Sequence, residues 1–577
     1  MKLSQCIACL SLLLGAGMWF FMGCGDANGP NGGDAKPDRP AGGAGAAGMG
    51  ATGSSSASGS VLYEQYCGAC HLKPDPGSLT RIVWKEHVLP FMGVLMGIPS
   101  AIDSFDFSSD KDRDILNRPG NHTGHPMMSE PDWNALKGYL VSQAPDSLPY
   151  DTRRQSRNAS LVQFVRQDFP LDDRRPSLVT GLGYDKASHT LWVGDLYKRV
   201  FNWQWNKGIV NTRPAHSPVV DFNFYGGQTY LTEIGMILPT ELRIGAFATA
   251  GPEGDSLLLT GLHRPVQSVV EDLDGDGVPE ILVCNFGNFS GSLSLFKKDR
   301  VTGRYAEQVL LAMPGAVRCI VRDMDGDGKK DIVALFAQAD ESVYIFYQRA
   351  PLQFQVERVL RYPPDYGTTD LILTDYNHDG LVDIVTVQGD NADYSRILKP
   401  YHGIRININQ GKRGKGDKGS KGSSRIVAGD GHRPDKTPSF KEKFFYPLYG
   451  ATRVIAEDFD KDGDIDFAAT AFYADYDNPQ DESFVYLENV GGASSFRFKS
   501  YTLAGHLPVK SFALEMADLD GDGYMDIILG NFSQSPIAVP DSLENAWKRA
   551  PYGLTVFLNQ SGRLRRAAGG RHAGNGK

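Results

Sequence analysis

At 577 residues the chain is too long for a single hydrophobic core and divides into two or more domains. A formal net charge of −9 and a sequence pI near 5.8 exclude the concentrated basic surface that nucleic-acid binding requires. Hydrophobic residues make up 41%, an ordinary globular share, so the acidity must have a local source rather than a disordered acidic tract.

The chain opens Met1-Lys2 and continues through an apolar run from Cys6 to Met22, ending Phe21-Met22-Gly23-Cys24. This stretch resembles a bacterial lipoprotein signal, which implies a leader over 1–24, lipidation of Cys24 and an anchor in the membrane. Phe21 and Met22 depart from the usual residues of that pattern. An uncleaved anchor and ordinary cleavage after Gly23 are the alternatives. All three place the rest outside the cytoplasm, periplasmic or on the cell surface. Residues 25–60 are Gly, Ala, Ser, Pro and Asn with little to bury, and read as a flexible tether with a mean reach of about 30 Å.

Within 61–150 the stretch Cys67-Gly68-Ala69-Cys70-His71 dominates. Two thiols two residues apart, followed at once by an imidazole, are what covalent haem attachment needs: each thiol adds to a vinyl group and the histidine meets the iron. A redox dithiol would sit at a strand-helix junction, and a zinc site needs a second ligand pair; neither is visible nearby. The spacing predicts a small all-α domain with a helix running into Cys67, a second from Ser78 to Val88 ended by Pro90, and a third from Pro131 to Ser142. Ser129 caps the third, whose apolar face is Trp133, Leu136, Tyr139 and Leu140. This pattern resembles a class I cytochrome c, in which first and last helices cross beside the haem.

After about residue 155 short apolar strands alternate with Gly/Asp turns, and one motif recurs five times. Its copies are Asp272, Asp274, Asp276, Glu280; Asp323, Asp325, Asp327, Asp331; Asp375, Asn377, Asp379, Asp383; Asp458, Asp460, Asp462, Asp466; and Asp518, Asp520, Asp522, Asp526. Oxygen ligands at positions 1, 3, 5 and 9, with glycine at position 6, suit one hard cation per loop, and calcium suits the irregular geometry better than magnesium. Position 12 is Val283, Ala334, Thr386, Ala469 or Leu529, where an EF-hand would carry a bidentate Glu. About five calcium ions are therefore expected, as structural elements. The period predicts an all-β propeller over 155–560, most simply seven-bladed with two metal-free blades first, and eight or six blades as alternatives. The basic Gly/Ser segment at 411–437 interrupts the period and reads as a disordered insertion, and 561–577 as a disordered tail.

The repeats resemble the FG-GAP/VCBS family, known from the integrin α-chain propeller. The whole run also resembles an exported bacterial fusion of a monohaem cytochrome c with such a propeller, matching at Trp84 to Met92, Gly389 to Ser395 and Lys399 to Ile404. The resemblance favours Met92 as sixth iron ligand, whereas the general class I plan favours Met127. Met96, Met128, His87, His122 and His125 are further candidates.

The expectation is single-electron transfer with a redox partner protein of the cell envelope, the propeller acting as docking platform. A calcium-dependent adhesion module with haem as sensor is one alternative. An oxidoreductase using Asp390, Asn391, Asp393, Tyr394, Lys399, Tyr401 and His402 is another. Cys284 and Cys319 are expected to be free and buried. Mass spectrometry of the mature N-terminus should find a lipid-modified Cys24; an intact Met1 or a bare Cys24 would contradict the lipoprotein reading.

Overall fold

The computed structural model describes residues 57–564, except 108–111, 115–124, 151–158, 173, 252–253, 339, 392–396, 413–437, 479–481, 494 and 504. The leader with Cys24, the tether before residue 57, most of the basic insertion and the tail from 565 onward lie outside the described residues. Among the described residues no helix is long and apolar enough to cross a membrane.

The helical part begins with α1 (Gly59–Tyr66). Next, α2 (Arg81–Val83) runs through a π-helical turn (Trp84–Val88) into α3 (Leu89–Leu95), and α4 (Pro99–Ser104) follows. The last helix, α5 (Glu130–Gln143), starts at Ser129, whose side chain accepts from the Asp132 N–H at 3.3 Å, as the sequence predicts. Trp133, Leu136 and Leu140 are buried on its inner face against Leu62, Tyr63 and Trp84.

The second helix departs from expectation, because Pro90 does not end it. In a regular α-helix the proline ring would press on the carbonyl of Glu86 and leave one hydrogen bond unmade. Here the preceding turn widens, so that the Leu89 N–H reaches back to the Trp84 carbonyl, and the helix continues to Leu95. Met92 is therefore a helical residue and not part of a loop turning away from a helix end.

Seven sheets make up most of the rest, each with four antiparallel strands; Phe164–Pro170 is the fourth strand of the seventh, and the short strand Ala159–Ser160 adds parallel to Phe498–Thr502 as a fifth strand of the sixth. They begin at Val179, Val219, Pro265, Ala316, Thr368, Ala451 and Ser511 and are numbered blades 1 to 7. The second strand of blades 3 to 7 is buried along its whole length, which is why these strands read as continuous apolar runs in the sequence. The first two blades lack the acidic motif, as expected. The gap in the period falls between Gly403–Lys412 and Pro438–Pro447, the paired outer strands of blade 5. The strand Phe164–Pro170 pairs antiparallel with Tyr552–Asn559, so residues from both ends of the propeller complete blade 7.

Antiparallel order fixes two faces. The acidic loops join first to second strands and lie on one face. The links between second and third strands, and those between blades, lie on the other, where the helical part docks. Phe289 stacks on Phe91 at 5.4 Å between ring centroids, and Tyr401 donates to the Ser78 carbonyl at 2.9 Å. Asp112 accepts from Thr240 Oγ1 and the Glu241 N–H at 3.0 and 2.7 Å.

Helices α1 and α5 cross closely at Gly59, where an added Cβ would come within 2.4 Å of the Ala135 carbonyl oxygen and 2.5 Å of Tyr139 Cβ. Gly59→Ala should destabilise the helical part by about 1–3 kcal/mol, the usual cost of overpacking. Calorimetry should then show its transition moving down while that of the propeller stays; an unchanged helical transition would contradict the crossing.

Candidate haem cleft and calcium loops

Cys67 caps α1 and is buried, Cys70 is exposed and His71 is half-buried. Burial pushes the Cys67 thiol up to about 11, the opposite of what an exchange nucleophile needs. The motif also follows a helix, where no helix N-terminus lowers a thiol pKa. These observations disfavour a redox dithiol. Every described group of three or more metal-binding side chains is a set of aspartates away from Cys67, which disfavours zinc.

His71 Nδ1 lies 2.7 Å from the Leu72 carbonyl oxygen. A proton on Nδ1 donated there leaves Nε2 as the free ligand atom, the usual arrangement of a metal-bound histidine. The ring lines an open cleft between helices and propeller. Its helical wall is Trp84, Val88, Phe91, Met92 and Leu95; its propeller wall includes Phe289, Glu341, Asp365, Asp390, Asn391 and Lys399.

Among the candidate sixth ligands, Met92 shares the cleft with His71. Met96 and Met128 are buried in the helical core, and Met127 packs against that core with its N–H on the Met96 carbonyl at 3.0 Å. His87 is half-buried on the π-helical turn, His125 is exposed, and His122 lies outside the described residues.

The polar cluster read from the sequence also arrives here. Asp390, Asn391 and Lys399 line the cleft, Tyr401 bridges to the helical part, and His402 is buried edge-on to Tyr401. Asp393 and Tyr394 lie outside the described residues. Sequence reasoning missed Glu341 and Asp365, whose only signal is an acidic residue in each of two turns facing the same side. Glu341 accepts from the N–H groups of Gly367 and Thr368 and from Thr368 Oγ1, and burial pushes its carboxyl up to about 7.

On the opposite face the five loops share one construction. The position-1 aspartate accepts two loop N–H groups: Asp518, for instance, takes Gly521 and Gly523 at 2.9 and 3.0 Å. The position-9 acid is buried and ties the loop to the blade. Asp526 accepts from Leu519 and Asn559, Asp383 from Tyr376 and Asn409, Asp331 from Met324 and Gln348. Carboxylate oxygens of positions 1, 3 and 9 lie within 4.8 Å of one another in Asp323, Asp325, Asp331; in Asp458, Asp460, Asp466; and in Asp518, Asp520, Asp526. In blade 3 the close set is Asp272, Asp274, Asp276. Asp375, Asn377, Asp379 and Asp383 form the fifth loop, with an amide in place of one carboxylate.

Position 5 is looser than the sequence suggests: Asp327 pairs with Lys329 at 2.8 Å. The blade 3 loop carries its own cation, since the Lys297 ammonium contacts Asp274, Asp276 and Glu280. Cys284 and Cys319 are both free and buried, next to Gln267, which accepts from the Cys319 N–H at 2.8 Å.

Residues 272–334, 323–386 and 458–529 match the FG-GAP-like repeat family. No curated protein matches the sequence. Similar solved structures include Saccharomyces cerevisiae Sqt1, at 9% identity over 68% of this chain and 99% of that one, with a TM-score of 0.37. The Neurospora crassa Pan2 WD40 domain matches at 9% identity over 69% and 96%, TM-score 0.39. The chain thus carries FG-GAP-like repeats on a seven-bladed β-propeller, an architecture that rests on its own sheet topology.

Burial first, and then neighbouring carboxylates, push Asp331 and Asp383 up to about 6, Asp526 to about 7 and Asp466 to about 8. A carboxyl raised in the folded state binds its proton more tightly there than in the unfolded chain, so metal-free stability falls as pH rises from near 4 through these values. In EDTA the propeller's melting temperature should drop between about pH 5 and pH 8, and saturating calcium should abolish most of that drop. A metal-free transition that does not move with pH would contradict this electrostatic picture.

Proposed function

We propose that the protein is an exported, envelope-anchored c-type cytochrome that passes single electrons, with its propeller as a calcium-stabilised docking platform for a redox partner protein. The observation that carries this reading is the meeting of His71 and Met92 in one cleft between helices and propeller, with Cys67 and Cys70 immediately preceding His71 in the chain. The close crossing of α1 and α5 at Gly59 adds support, being the feature the class I cytochrome resemblance implies.

The residues present fit the group. Cys67 and Cys70 would hold haem covalently, and His71 Nε2 and the Met92 thioether would be its protein ligands to iron. When bound, haem supplies a one-electron Fe(III)/Fe(II) couple. The chain's own part is to orient and to exclude water. The Leu72 carbonyl fixes the His71 ring, and Trp84 is locked by donating Nε1–H to the Pro76 carbonyl at 2.9 Å. Phe91 and Phe289 close the space between the two walls.

Calcium belongs to the other face, held by the acids at positions 1, 3 and 9 in blades 4, 6 and 7, by Asp272, Asp274 and Asp276 in blade 3, and by Asp375, Asn377, Asp379 and Asp383 in blade 5. Bound there it offsets three or four like charges and stiffens the turn between the two innermost strands of its blade. In blade 3 an incoming ion has to displace Lys297.

Met92→Ala should keep the covalent haem but lose the far-red methionine-to-iron band of the ferric protein. It should also lower the reduction potential, since a soft thioether favours Fe(II), and admit CO. Survival of band and potential in Met92→Ala, with their loss in Met127→Ala, would overturn the ligand assignment. A wild-type chain without covalent haem would overturn the function.

A further inference from the structure

The propeller wall of the cleft holds two polar groups without adequate partners. Lys399 is 4% exposed, yet its ammonium has only two long contacts, 3.4 Å each, to the main-chain carbonyls of Asp365 and Asp390. Among the described residues it forms no ion pair and is, His71 aside, the only cationic side chain lining the cleft. Asp365 is 7% exposed, and neither carboxylate oxygen has a hydrogen-bond partner. Its neighbour Tyr401 spends its hydroxyl on the Ser78 carbonyl of the helical part. A buried ammonium with only long contacts and a buried carboxylate with none, both lining one cavity, are costly unless a ligand completes them.

We infer that Lys399 and Asp365, both propeller residues, take the two carboxyl groups of a haem seated in the cleft. Lys399 holds one as the anion, and Asp365 shares a proton with the other. The inference rests on the haem reading above. The chemistry follows from the group: its vinyl side is consumed by Cys67 and Cys70, so its two propionates project from the opposite edge. Two carboxyl groups in contact away from water do not both ionise, which makes a shared proton the stable state beside Asp365. Glu341, Asp390 and Lys399 from the loops, and Tyr366 and Tyr401 around them, are the other titratable groups facing Asp365. The propeller then contributes to the cofactor site as well as covering it.

The test is a potentiometric titration of the haem-loaded full chain over about pH 5 to 9, with resonance Raman of the propionate bending modes. The wild-type potential should fall with rising pH as the shared proton leaves. Asp365→Asn should flatten that slope and raise the potential. Lys399→Met should lower it, changing the Fe(II)/Fe(III) ratio at fixed poise by about tenfold, ~59 mV for one electron. It should also shift a propionate mode, and Lys399→Arg should restore both. A loaded chain in which Asp365→Asn and Lys399→Met keep the wild-type potential, slope and Raman modes overturns this inference alone. A wild-type chain that takes no covalent haem overturns the reading beneath it as well.

Discussion

Closure of the ring constrains everything else. The strand Phe164–Pro170 completes blade 7 by pairing along Tyr552–Asn559, so the two ends of the propeller are held together by main-chain hydrogen bonds. The chain enters the ring through the short strand Ala159–Ser160, which pairs parallel with the last strand of blade 6, and the helices dock on loops of blades 2, 3 and 5, where Glu241, Phe289 and Tyr401 receive them.

The two faces then divide the chemistry. Acidic loops with buried anchors such as Asp466 and Asp526 lie on one side, and a cleft shared with the helices lies on the other. The blades between them are packed throughout: strand 2 of blade 5, Asp383–Gln388, is buried at every position. Asp331, Asp383 and Asp526 each hold both the loop and the third strand of their own blade, as Asp331 holds Met324 and Gln348. A cation bound on one face, as proposed, would bear on blades whose opposite ends form the cleft.

Legibility in the sequence followed the range of the interactions. The Cys67–His71 motif, the Ser129 cap and the five acidic loops depend on residues a few positions apart, and they were readable from spacing alone. The seven blades were readable because buried strands such as Ile281-Leu282-Val283 recur at a regular period. The passage of a helix through Pro90 was not, since it depends on a π-helical turn whose cost is met by burying Trp84. Glu341 was missed because its partners, Gly367 and Thr368, come from the next blade, and Asp365 because only the fold turns it into the cleft. The polar segment from Asp390 to His402 was visible as a cluster, but only the fold puts it opposite His71.

The central claim is that one cleft between helices and propeller holds the iron. Anomalous diffraction at the iron absorption edge, from crystals of the haem-loaded full chain, tests it most directly. The account predicts one strong peak between the His71 imidazole and the Met92 side chain, facing Lys399 and Asp365 across the cleft. An iron peak on the outer surface of the helical part, away from the propeller, would contradict it.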